Sequence, residues 1–132
     1  MTGLSTKTRR QVADRDKGRC LRCGMRGTNI QHRIGRGAGG TSRPEVNGLA
    51  ALVTLCGSGT TGCHGHITEH PTEAYETGWA IRRSFSGRAC DVPLVDLYER
   101  TFYLSDSGDL TYLNDVPGLY PVNPSDYQPP WS

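Results

Sequence analysis

Two cysteine pairs set the tightest constraint on what this chain can fold into: Cys20-Leu-Arg-Cys23, and Cys56 followed after six residues by Cys63. A CxxC turn directs two thiolates at one point, and a second pair completes a tetrahedral four-cysteine zinc site. The second pair is wider than the usual spacing of roughly two to four residues. The intervening segment, Gly-Ser-Gly-Thr-Thr-Gly at 57–62, is small and flexible throughout, so the loop closes without strain. A disulfide framework is not expected, since the five cysteines are odd in number and no export signal is recognised. A redox role for CxxC requires a thioredoxin-like βαβ context, which the pattern lacks. The expectation is therefore a zinc staple on Cys20, Cys23, Cys56 and Cys63, with Cys90 left as a small side chain without a partner.

Such a staple suits the rest of the chain. Only 35% of the 132 residues are hydrophobic, while 17 glycines and 8 prolines favour loops. A thin core of this kind commonly needs a metal or a disulfide to hold it. No apolar run approaches the roughly 20 residues of a membrane span. Lys7, Arg9 and Arg10 follow the N-terminus without an apolar h-region, so no secretory signal and a cytoplasmic location are expected. The net charge of +2 conceals a division. Residues 1–44 carry 11 Lys and Arg against 2 Asp and Glu, a net of +9; residues 45–132 carry 4 against 11, a net of −7. A basic first third without an amphipathic apolar face points to a polyanion, nucleic acid before membrane.

Along the chain, residues 5–17 read as a basic surface helix capped by Ser5 or Thr6 and ended by Gly18. The cysteine turn follows, then a short strand ending at Ile30-Gln31-His32. Residues 33–44 form a Gly/Arg loop. The run 48–55 is the most apolar and should be buried, as helix or strand. A short helix begins near Cys63-His64, and a second runs from Pro71 to about Thr77, with Gly78 closing it. Residues 101–113 alternate around Asp-Ser-Gly-Asp as a hairpin. The last stretch, from Asp115, holds five prolines and is expected to have no packed core of its own.

The histidines are not placed at random among the cysteines. His32 follows the first pair and His64 adjoins Cys63, with His66 and His70 close behind. In Arg15-Asp16, Gly18-Arg-Cys-Leu-Arg-Cys-Gly24, Gln31-His-Arg-Ile-Gly-Arg-Gly-Ala-Gly-Gly40, Asn47 and Leu55-Cys-Gly-Ser-Gly-Thr-Thr-Gly-Cys-His-Gly65, the chain resembles the HNH endonucleases, particularly small phage and actinobacterial members. The resemblance covers about residues 12–80. It implies an α+β fold with a small ββα-metal core stapled by zinc, a basic N-terminal helix and a C-terminal β-hairpin with an irregular tail. The domain division expected is 1–84 for the nuclease domain and 85–132 for the hairpin and tail.

The resemblance also assigns roles. Phosphodiester hydrolysis needs a base to take a proton from water and a cation to offset charge on the phosphate and leaving oxygen. His32 carries the side chain suited to the base. His64 would hold a catalytic divalent cation (magnesium, manganese, nickel or zinc), and Asn47 would tie down the hairpin loop. Gln31 stands where the family usually has an Asp or His ligand, and a neutral amide oxygen is a weaker donor. His66 is a candidate to compensate, and His70 a lesser one. Arg22, Arg33, Arg36 and Arg43 are candidate phosphate contacts. The partner implied is DNA, and small phage proteins of this type often accompany genome-packaging terminases. Two other readings stay open: a zinc-dependent DNA-binding protein without nuclease activity, and a zinc-stapled interaction protein.

Overall fold

The computed structural model describes residues 4–35 and 47–113. Helix α1 (Thr6–Asp16) starts where the Ser5 hydroxyl accepts the Thr8 N–H at 3.1 Å, satisfying an N–H that the first turn leaves unpaired. It ends as Lys17 and Gly18 both take left-handed backbone. Strand β1 (Asn29–His32) then pairs antiparallel with β2 (Leu52–Leu55), Asn29 opposite Leu55 and His32 opposite Leu52. The ambiguous apolar run resolves as both options in turn, a 3-10 turn at Leu49–Ala51 feeding directly into β2. Helices α2 (Gly62–Glu69) and α3 (Pro71–Glu76) follow. A second sheet, β3 (Leu94–Val95), β4 (Thr101–Leu104) and β5 (Leu110–Tyr112), runs antiparallel in that order. The turn between β4 and β5 contains Gly108 at φ +95°. Strand β3 is too short to give a pattern in sequence; the hairpin stands where expected.

Strand β2 is buried along its whole length because it is covered on both faces. Val53 and Leu55 join the main core with Ile67, Trp79, Leu94, Phe102 and Leu104. Leu52 instead packs with Val12 of α1, Leu49 and Ile30. This explains why the sequence shows an unbroken apolar run and no alternation.

The expected surface helix is in fact fastened to β2. Asp16, fully buried, accepts the Thr54 N–H. Arg15 grips Asp16 and donates to the carbonyls of Leu49 and Leu52 at 2.7 and 2.6 Å. The main core also draws on residues beyond 84. Leu94, Phe102 and Leu104 share one cluster with Cys20, Cys23 and Cys63. Tyr98 donates to the Cys23 carbonyl and Leu97 N–H to that of Arg22, both at 3.0 Å. Gly78 allows this crossing, since a Cβ there would lie 1.9 Å from the Pro93 carbonyl oxygen. The Pro-rich stretch from Asp115 lies outside the described residues.

Candidate functional site

The first cysteine turn is a tight knuckle. Cys20 N–H donates to the Met25 carbonyl at 2.7 Å, Gly24 N–H to that of Cys20 at 2.8 Å, and Gly24 turns the chain at φ +84°. The second pair solves its wide spacing with a miniature hairpin. Ser58 and Thr61 bridge, and Gly57 has positive φ, where an added Cβ would fall 2.0 Å from the Thr61 carbonyl. Cys63 is thereby brought back beside Cys56, into the first turn of α2.

The four sulfurs of Cys20, Cys23, Cys56 and Cys63 lie within 4.8 Å of one another. Tetrahedral bonds of about 2.3 Å would place them roughly 3.8 Å apart. Backbone N–H groups of Met25 and Cys63 point at the Cys23 and Cys56 sulfurs at 3.5 and 3.4 Å. The thiols of Cys20 and Cys23 donate to Cys63, and with Arg22 beside it they hold that thiol far below its ordinary range. The cluster is thus compatible with a structural metal such as zinc. Cys90 is not in it.

Strand pairing sorts the other candidates by face. Residues opposite each other in an antiparallel pair share a side, and neighbours along a strand alternate. Gln31 sits opposite Val53, on the side of the main core with Ile67 of α2; His32 sits opposite Leu52, on the side of α1. His32 and Asn47 are brought together, Nε2 to Oδ1 at 2.9 Å. His64 stands in the first turn of α2, its N–H donating to the Cys56 carbonyl at 3.1 Å. Its Nδ1 is buried with no hydrogen-bond partner among the described residues.

Other expectations are redirected. Arg33 is not available to phosphate: it is 1% exposed, and its guanidinium donates to the carbonyls of Gly78, Ala50, Ala89 and Val92 at 2.7–3.2 Å. Burial lowers it to about 9, which still leaves it charged at neutral pH. Arg22 likewise turns inward, donating to the Cys63 sulfur at 3.2 Å and lying 3.5 Å from Glu73. His66 is engaged by Glu73 at 2.6 Å, and His70 stacks on His66 with ring centres 4.1 Å apart. Arg36 and Arg43 lie outside the described residues.

Two residues carry site features that sequence reading passed over. Glu73 links His66 to Arg22 across the α2–α3 junction, a contact no sequence spacing announces. Asn29, two positions before Gln31 and so on the same strand face, has a buried Oδ1 with no partner among the described residues, while its amide donates to the Gly57 carbonyl at 2.7 Å. Strand alternation from Gln31 is the signal that reaches it. No helix among the described residues is long and apolar enough to cross a membrane. Comparison of the chain with family models, with curated proteins and with solved structures gives no match.

Proposed function

We propose that this protein is a metal-dependent DNA endonuclease of the HNH type, with a structural zinc on its four cysteines. The observation that carries the reading is the 2.9 Å contact between His32 and Asn47 at the end of a strand pair. The helix after that pair presents His64 in its first turn. An amide oxygen accepts and cannot donate. With Asn47 Oδ1 accepting, the His32 proton stays on Nε2, and Nδ1 is left to take a proton from an attacking water. His64 is the residue that would hold a divalent cation; Gln31, with Asn29 beside it, lies on the strand face opposite to that of His32. Such a cation, when bound, offsets charge on the phosphate and the leaving 3′ oxygen.

The zinc site has a structural part in this scheme. Its second pair fixes the start of α2, and with it His64, against the end of β2. The partner is DNA, met through phosphates and so with weak sequence preference and strong salt dependence; processing of phage DNA during packaging is the setting the resemblance suggests. A plasmid-nicking assay with magnesium, manganese, nickel or zinc tests the proposal. Cleavage by the wild type, with cleavage lost and DNA binding kept in His32→Ala, is expected. Equal cleavage by the His32→Ala protein overturns it. A wild type that binds DNA but cleaves with none of these metals would favour the non-cleaving DNA-binding reading, which the neutral Gln31 favours.

A further inference from the structure

The basic residues of the first third fall into two groups. Arg15, Arg19, Arg22 and Arg33 are tied inward, to the Leu49 carbonyl, the Gly24 carbonyl, the Cys63 sulfur and the Ala50 carbonyl in turn. Arg9, Lys17 and Arg26 are exposed. Arg9 donates through Nε alone, to the Leu4 carbonyl at 3.3 Å, so its two terminal nitrogens have no partner among the described residues. The side chains of Lys17 and Arg26 have none there either.

Arg9 lines a groove of about 230 Å³ between α1 and the strand pair. Arg9 and Ala13, one turn apart, form its helix wall. Ile30 and Thr54, opposite each other in the register, form its strand wall. Gly18 and Gly27 close one end, where the Gly27 N–H donates to the Gly18 carbonyl at 2.8 Å. Lys17 and Arg26 are the chain neighbours of those two glycines, which places both cations at that end. No carboxylate lines the groove. The acids of α1 face elsewhere: Asp14 lines a separate cleft with Gln11 and Ser107, and Asp16 is buried against Arg15. A cationic groove without carboxylates, too small for most organic ligands, suits a phosphate group.

Lys17 supports this from its backbone. It ends α1 in left-handed conformation, φ +59°, where a glycine or asparagine would sit with less strain. A lysine gains nothing from that backbone, so its contribution at this position is the charged side chain.

The groove also shares a face with His32. Ile30 and His32 alternate onto the α1 side of β1, two residues and so about 7 Å apart. That separation matches about two nucleotide rises of 3.4 Å along one DNA strand.

We infer that the groove between α1 and β1, with Arg9 inside it and Lys17 and Arg26 at its glycine end, binds backbone phosphate of the DNA about two nucleotides from the bond cut at His32. The inference rests on the nuclease reading above for the identity of the polyanion. It moves the phosphate contacts from Arg22 and Arg33 to cations that the fold leaves exposed.

The test uses the full chain carrying His32→Ala, so that DNA is bound and not cut. Affinity for a fully paired duplex is measured from about 50 to 200 mM salt. Arg9→Gln, Lys17→Gly and Arg26→Gln are each expected to weaken binding and to reduce the slope of log affinity against log salt by about 0.9. Arg88→Gln, which removes an exposed arginine paired with Asp106, should leave the slope at the parent value. Lys17→Gly should keep or raise the melting temperature while it weakens binding, because glycine relieves the left-handed backbone. Slopes equal to the parent's in the three groove variants overturn the groove and leave the nuclease reading standing. An equal fall in Arg88→Gln also overturns it, because the effect would then be one of overall charge. Groove-dependent binding by a wild type that cleaves with no metal upholds the groove and overturns the nuclease reading. Absence of any DNA binding by the parent protein overturns both together.

Discussion

The Nε2 of His32, the last residue of β1, lies 2.9 Å from the Oδ1 of Asn47, two residues ahead of the 3-10 turn that opens β2. The contact joins the two ends of the segment that connects the paired strands. It also selects one tautomer of the ring, because the amide oxygen can only accept.

On the proposed nuclease reading, Asn47→Ala is expected to lower kcat roughly 10–100-fold, less than loss of the proposed base, His32, which would cost about 10²–10⁴. KM should move little. Asn47→Asp keeps an acceptor but places a carboxylate against the ring, which favours the imidazolium. A base must be neutral to act, so the acid limb of the pH–rate profile should shift to higher pH. Cleavage rates measured from pH 5 to 9 decide it; a profile identical to wild type in Asn47→Asp would show that the contact does not hold the base.

One tightly bound metal per chain is expected at the four cysteines, removable by a strong chelator. A structural zinc contributes folding free energy directly. Here it would tie the 20–23 knuckle, the end of β2 and the start of α2 into one core. Loss of about 3 kcal/mol or more should lower the melting temperature by roughly 10 °C or more. Metal analysis alongside calorimetry of wild type and Cys20→Ser measures both; an unchanged melting temperature in a metal-free protein would contradict the staple.

Arg33 is expected to act in stability and not in DNA binding. Its removal leaves the carbonyls of Gly78, Ala50, Ala89 and Val92 to find other donors, at about 1–3 kcal/mol for each left buried and unpaired. Arg33→Met keeps the bulk and loses the fork, and should fall in urea midpoint accordingly. The slope of log affinity against log salt should stay at its wild-type value. A phosphate contact would instead reduce that slope by about 0.9.

Arg33 also marks where sequence reading stops. The cysteine spacing is local chemistry, and its legibility in the sequence followed from that. Ser5, Pro71 and the 101–113 alternation placed their elements for the same reason, since caps, prolines and period two act within a few residues. The fate of Arg33 depends on carbonyls from residues 50, 78, 89 and 92, which only the folded chain brings together. Counting it among basic loop residues gave a surface role to what is a buried clasp. The same holds for α1: its low apolar content reads as surface, yet Arg15 and Asp16 dock it through backbone groups of β2 that no pattern in α1 reveals.

The pair formed by His66 and Glu73 gives a pH dependence with a definite sign. The His66 hydrogen bond, with Arg22 and His70 adding to it, holds Glu73 below its usual carboxylate value of 4.5. A depressed carboxylate stabilises the fold fully above its unfolded value, and the benefit is lost as pH falls through the folded one. Glu73→Gln should thus be less stable than wild type at pH 5–6. The two proteins should converge as pH falls through the folded value, where wild-type Glu73 takes up its proton. Both Glu73 and His66 are substantially exposed, so the difference will be small and should shrink in high salt. Urea midpoints at pH 3.5, 4.5 and 6 resolve it. A difference that grows on acidification would mean that Glu73 is protonated in the native state and that the α2–α3 junction is held by other contacts.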